Sequence, residues 1–198
     1  MSTSEPAGGD PRTAVLDSLR TAVGRIAAEP AGPRTAAQEA DAAGVDASEY
    51  ARAKKRALNM LAARDHGSAE LRDKLLAREH PPEVVECLLE RLERSGLIDD
   101  EAFARAFVRA NRERRALSKT ALRRELSRKG LEAQTVAAAV DPVADEHEVA
   151  FGVAMKKARS TVGLPRETRE RRILGMLARR GFPSGVCIDV TRRALDET

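Results

Sequence analysis

Three stretches of this chain carry one apolar pattern at a spacing of 51 residues. Leu71, Leu75, His80 and Val85 in the first stretch correspond to Leu122, Leu126, Leu131 and Val136 in the second, and to Ile173, Leu177, Phe182 and Cys187 in the third. The opening pair lies four residues apart, the helical spacing, and the next two positions follow at steps of five, room for a turn and the start of another helix. A fixed period of this size marks a repeat architecture, in which a small helical unit stacks on copies of itself because none can bury its apolar stripe alone. The 198 residues are therefore expected to form one continuous array rather than independent globules. Aromatic residues make up 3% of the chain and Trp is absent, so the core has to be built from Leu, Val, Ile and Ala, which suits thin helical modules.

Residues 1 to 48 read differently. Pro6, Gly8, Gly9, Pro11, Pro30, Gly32 and Pro33 interrupt any long element, and the composition of Ala, Gly, Pro and acidic residues predicts a largely disordered leader. Val15, Leu19, Val23 and Ile26 would line one helix face, read as a transient helix in the tail with a docking helix as the alternative. From Tyr50 the helical signals become regular. The reading is all-α: three tandem three-helix repeats at 49–97, 98–142 and 143–198, forming an elongated curved array behind the leader.

In the first repeat, Ala57, Leu58, Leu61 and Ala62 supply the inner stripe of a helix ended by Gly67, with Ser68 as the N-cap of the next. That second helix carries Leu71, Leu75 and Leu76. Pro81 and Pro82 open a third from about Glu83 to Arg94, with Val84, Val85, Leu88, Leu89 and Leu92 inward and Gly96 just past its end. The second repeat opens on the acidic run Asp99-Asp100-Glu101, with Phe103 and Phe107 facing inward; Ser118 caps its middle helix and Gly130 stops it. The third starts near Asp145, uses Val149, Val153 and Met155, then Ile173, Leu174 and Leu177, turns at Gly181-Phe182-Pro183 and ends on Val186, Cys187 and Val190. No segment shows strand alternation.

Charge separates what the apolar pattern unites. Glu70 to Glu101 holds five basic and ten acidic side chains, Arg105 to Lys129 ten and two, and Lys156 to Arg180 nine and two. The balances are −5, +8 and +7. Arg112, Arg114, Arg115, Lys119, Arg123, Arg124, Arg128 and Lys129 fall between the inward positions Phe107, Leu122 and Leu126, so they are expected to point outward, and most of them lack acidic partners at i±4. Such an excess fits contact with nucleic acid or an acidic protein surface, against plain solubilisation. Lys156, Lys157, Arg159, Arg169, Arg171 and Arg172 form a second candidate patch. Paired aromatics for base stacking are missing, so contacts with DNA are expected at phosphates and should be salt-sensitive.

Other classes of function find little support. His66, His80 and His147 are scattered, and no phosphate-binding loop of the GxxxxGK[ST] type is present. Asp99 and Asp100 read as helix-capping acids, and His80 as a partly buried structural histidine in an apolar repeat position. Cys87 and Cys187 make neither a CxxC pair nor a metal-ligand spacing, and Cys187 reads as a small buried hydrophobe. No cofactor or metal is expected. The N-terminus lacks a basic patch followed by an apolar run, and nowhere do 18 apolar residues follow one another, so a soluble cytoplasmic protein is expected.

Ser68-Ala69-Glu70-Leu71-Arg72-Asp73-Lys74-Leu75, the junction Leu97-Ile98-Asp99-Asp100-Glu101-Ala102-Phe103-Ala104, Glu125-Leu126-Ser127-Arg128-Lys129-Gly130 and Arg179-Arg180-Gly181-Phe182, in this order, together resemble the RecX family of recombinase regulators. They span about residues 51 to 195. Where such repeats often place Gly before an aromatic residue, the first repeat has Glu79-His80. The resemblance implies a non-enzymatic modulator that binds the RecA filament on single-stranded DNA and suppresses its ATP hydrolysis, strand exchange and co-protease activity, and so modulates recombination, DNA repair and the SOS response. Proteins similar to this one lie in the filament groove or block its extension. The alternative from another class is a stand-alone helix-turn-helix style DNA-binding regulator. Against it, the segment Glu132 to Val140 is rich in Ala and carries no basic residue, which makes a poor base-reading helix.

Overall fold

The computed structural model describes residues 35–143 and 146–198, and every regular element among them is an α-helix. The chain divides into two compact units, one ending at Asp99 and the other running from Asp100 to Thr198.

The first unit contains α1 (Ala36–Ala43), α2 (Ala47–Ala63), α3 (Ser68–Leu76) and α4 (Pro82–Arg94). The three helices α2 to α4 are the first repeat. Helix α1 lies inside the segment expected to be leader, so residues 35 to 48 belong to the folded unit instead. Its local signals explain this: Thr35 and Gln38 form a reciprocal capping box, and Gly44 closes the helix in the left-handed conformation at φ 69°. Glu39 then ties α1 down, accepting hydrogen bonds from the Tyr50 hydroxyl at 3.1 Å and the Arg91 guanidinium at 3.3 Å and pairing with Lys54. Burial alone would raise the Glu39 pKa, but Lys54, Tyr50 and Arg91 hold it below the usual carboxylate value. Burial and the same carboxylate push the Tyr50 phenol upward. The candidate helix built on Val15, Leu19, Val23 and Ile26 lies outside the described residues.

The inner stripe of α2 is Tyr50, Ala53 and Ala57, with Leu61 half-buried, whereas Leu58 and Ala62 face solvent. Alanines at the contact let neighbouring helices approach closely, which a Leu58 stripe would not allow. Arg64 rather than Gly67 ends α2, and Ser68 is the first residue of α3, with Gly67 in the N-cap place and no side-chain cap. Leu76 also lies outward. Helix α4 follows expectation: Pro82 occupies its first turn, Val84, Val85, Leu88, Leu89 and Leu92 are buried, and Gly96 at φ 71° lies just past its C-cap.

The second unit contains α5 (Asp100–Arg115), α6 (Lys119–Arg128) and α7 (Ala133–Val140), the second repeat, then α8 (Glu146–Arg159), α9 (Arg166–Arg179) and α10 (Ser184–Asp196), the third. Each repeat keeps its own apolar cluster, one around Leu122, Leu126 and Val136 and one around Ile173, Leu177 and Val190. Helix α8 buries Ala150, Ala154 and Ala158, while Val149, Val153 and Met155 are only half-buried.

All twelve positions of the 51-residue pattern are buried. The turn at the heart of each repeat is the same as well. The N–H of His80 reaches back to the Leu75 carbonyl at 3.4 Å, Leu131 to Leu126 at 3.4 Å, and Phe182 to Leu177 at 3.3 Å. This closure needs the preceding residue in the left-handed region, where Gly130 and Gly181 both sit at φ 82°. In the first repeat Glu79 takes that place at φ 63°, a conformation that crowds its Cβ.

Candidate nucleic-acid interface

The basic residues of the second unit do different jobs despite their common charge. Arg112 is half-buried and donates to the Leu117 carbonyl at 3.0 Å, so it closes the end of α5 instead of pointing outward; burial depresses its pKa, with the Glu146 charge opposing. Arg115 is held between Asn111 Oδ1 and Glu125 Oε2, both at 3.2 Å. Arg123 pairs with Asp141 at 2.6 Å, and the Lys119 ammonium donates to the Asp141 carbonyl at 3.0 Å. Lys129 lies over the rings of Phe103 and Phe107, 5.6 and 5.7 Å from their centroids. Arg115 and Arg123, which lack an acid at i±4, thus find one in Glu125 and Asp141, 10 and 18 residues away. A window of four residues could not register them.

Arg114 is exposed and donates only to the Ala110 carbonyl of its own helix. Arg124 and Arg128 are exposed and form no ion pair among the described residues; both lie on α6 one helical step apart. In the second patch Lys156, Arg159, Arg171 and Arg172 are exposed, while Lys157 is half-buried. Arg169, expected on that surface, is buried: its guanidinium donates to the Ala158 carbonyl at 3.3 Å and to Thr198 Oγ1 at 2.6 Å, fastening the C-terminus across α8. A basic residue at the inward spacing from Ile173 was the available signal, since 169, 173 and 177 fall on one helix face.

The second and third repeats are tied together where α6 begins. The Ser118 N–H donates to the Arg180 carbonyl at 3.0 Å, its hydroxyl donates to the Gly181 carbonyl at 2.6 Å, and its oxygen accepts the Ala121 N–H at 3.0 Å. Glu146 accepts the Lys119 N–H at 2.5 Å. The start of α6 is therefore stapled to the turn that ends α9. Gly181 permits the approach: a Cβ there would lie 2.8 Å from both Ala121 Cβ and Ser118 Oγ. Ser118 was legible as an N-cap; its second partner, 63 residues away, was not. Arg179, at the end of α9 and exposed, also escaped the candidate set, although the 51-residue register places it on Arg128.

The first unit is electrically different. Between α1, α2 and α4 an open hollow of about 570 Å³ is lined by Glu39, Glu83, Glu86, Glu90, Arg91 and Arg94, among others. His80 is buried, its Nδ1 3.6 Å from Glu49 Oε2 and its Nε2 without a hydrogen-bond partner. Burial, then the charges of Arg56, Arg52 and Arg78, depress its pKa. His66 is buried 3.2 Å from Glu70, with burial and then Arg64 and Lys74 depressing its pKa against the pull of Glu70. His147 lies at the surface 3.6 Å from Asp189. Among the described residues no group of three or more His, Cys, Asp or Glu could hold a metal ion, and no helix is long and apolar enough to cross a membrane.

The repeat geometry has counterparts among known proteins. Sequence models of the first, second and third three-helix domains of RecX match residues 53–92, 99–140 and 144–190. The chain belongs to the RecX family. The Regulatory protein RecX of Corynebacterium efficiens is 37% identical over 97% of this chain and 93% of its own length. That of Streptomyces lividans is 42% identical over 71% of this chain and 76% of its own. The fold matches a crystal structure of RecX from Lactobacillus salivarius with a TM-score of 0.66 at 22% identity, covering 77% of this chain and all of that one. The matched ranges take in all or part of each helix from α2 to α10 and leave α1 outside them.

Proposed function

We propose that this protein is a non-enzymatic regulator that binds the RecA recombinase filament on single-stranded DNA and lowers its ATP hydrolysis, strand exchange and co-protease activity, thereby modulating recombination, DNA repair and the SOS response in the cytoplasm. The observation that carries the reading is the ordered set of three RecX domains. Supporting it is the placement of the exposed basic side chains Arg114, Arg124, Arg128, Lys156, Arg171 and Arg172 on the second and third repeats, where a filament contact surface would need them. Arg112, Arg115, Lys119, Arg123 and Lys129 hold helix ends and neighbouring turns beside that surface through carbonyl, carboxylate and ring contacts. The duplex-reading alternative gains nothing from α7, whose residues Ala133–Val140 carry no charge for a base edge.

Titrating the protein into RecA on single-stranded DNA tests the reading. ATP turnover should fall at or below stoichiometric ratios; unchanged turnover with an active filament would remove it. Arg124→Glu is the sharper charge reversal, because Arg123→Glu would also break the pair with Asp141.

A further inference from the structure

We infer that α9 and α6 together form one continuous track for the phosphate backbone of single-stranded nucleic acid, with the Ser118–Gly181 staple as its joint. This deepens the filament reading and rests on it for its setting, though the track itself can be tested on a strand alone. Arg171, Gly175 and Arg179 on α9 occupy the same places in the 51-residue period as Thr120, Arg124 and Arg128 on α6. In the first repeat those places hold Ala69, Asp73 and Ala77. Both later repeats thus carry arginine in the place of Ala77, and each carries one more at the places of Ala69 and Asp73, whereas the first repeat has no base at any of the three, although the buried pattern is common to all.

The joint makes the two stretches neighbours. The end of α9 and the start of α6 are bound by the Ser118 N–H on the Arg180 carbonyl and the Ser118 hydroxyl on the Gly181 carbonyl. Taken along α9 to the joint and then along α6 from it, the exposed groups are Arg171, Arg179, Thr120, Arg124 and Arg128. Each arginine pair covers about 6 to 12 Å of helix axis. None of these four arginines forms an ion pair among the described residues, so none must give up a partner to take a phosphate. A row of guanidiniums one helix wide suits a single strand. The Phe103, Phe107 and Phe151 rings are half-buried, with Lys129 over the first two and Arg193 over the third, which leaves backbone charge rather than base stacking as the source of affinity.

The experiment measures binding of the full chain to a fluorescent oligothymidylate across a range of salt. The variants are Arg124→Gln with Arg128→Gln, Arg171→Gln with Arg179→Gln, all four together, and Ser118→Ala. Each pair should flatten the slope of log affinity against log salt by about 1.4, and the quadruple change by about 3, because each phosphate contact on a single strand contributes roughly 0.7. Lys55→Gln in the first unit should leave the slope as it was. Ser118→Ala should weaken binding to a long oligonucleotide while a strand short enough for one helix binds as before. A quadruple variant with the parental slope and a native circular dichroism spectrum would overturn the inference, as would equal or tighter binding of a duplex or of polyglutamate. If the parent protein leaves RecA turnover unchanged, the filament reading fails; if it inhibits and the quadruple variant keeps its salt slope, only the track fails.

Discussion

The two units are built on one buried code and differ in almost everything that faces water. Residues 35 to 99 carry ten basic and thirteen acidic side chains, a balance of −3, whereas residues 100 to 198 carry twenty-one and fourteen, a balance of +7. Yet Leu71, Leu75 and Val85 are as deeply buried in the first as Leu122, Leu126 and Val136 are in the second. Burial constrains a side chain by shape and solvation, so it tolerates little drift. An exposed position is constrained only by what it meets, and the second unit has kept arginine there.

The turns differ too. Gly130 and Gly181 take the left-handed position without cost, while Glu79 holds it with a crowded Cβ next to His80, whose buried Nε2 has no partner. The first repeat therefore contains two local compromises that the other two avoid.

Several substitutions would break or sharpen this contrast. The largest effect should be common to both units: Leu75→Ala, Leu126→Ala and Leu177→Ala should each cost about 2 to 5 kcal/mol in denaturant melts. A negligible loss for any one would refute the shared core. Next comes Gly181→Ala, which should cost at least about 1 to 2 kcal/mol from backbone alone, with the clash against Ala121 and Ser118 added. Glu79→Gly should act in the opposite direction, stabilising the first unit by about 0.5 to 1 kcal/mol once the greater freedom of glycine in the unfolded chain is offset. If Glu79→Gly destabilises instead, the left-handed carboxylate is held by something stronger than turn geometry.

Acid should also separate the units. His66 and His80 have folded pKa values below their usual 6.5, so the unfolded chain takes up protons first as pH falls. Their contribution is present above about pH 6.5 and lost as pH drops below it. Hydrogen exchange between pH 7.5 and 5 should show protection falling in residues 35 to 99 beyond that in residues 100 to 198, and His80→Phe should reduce the difference. The smallest effect is expected at the surface. Arg72→Met, which removes the two-pronged pair with Glu86 at 2.7 and 2.8 Å, should cost no more than about 1 kcal/mol because both side chains are about half in water.

Much of the fold was legible because apolar periodicity reports burial directly. The α4 stripe, the Ser118 cap, the Gly96, Gly130 and Gly181 turns and the buried Cys187 all follow from local patterns. The errors share a cause. Helix α1 was hidden behind the composition of its neighbours, although its capping box was present, because its stability comes from Glu39 meeting Tyr50, Lys54 and Arg91 on other helices. Leu58 and Leu76 looked inward because they are leucines; Ala53 and Ala57 do that work where helices need to come close. The candidate surface fared less evenly. Arg124, Arg128, Arg171 and Arg172 are exposed as expected, but Arg112 closes the end of its own helix on the Leu117 carbonyl, and Arg169 reaches Ala158 and Thr198 on other elements.

By itself, then, the amino-acid sequence determined the number of repeats, their buried positions and the sign of charge each carries, since these depend on side-chain type and on helical period. The tertiary structure decided which cations are spent on carbonyls and carboxylates and which remain in water, and it set the end of α9 against the start of α6. Arg115 with Glu125, Arg123 with Asp141, Arg169 with Thr198 and Ser118 with Gly181 lie from 10 to 63 residues apart, and such pairs meet only once the chain has folded.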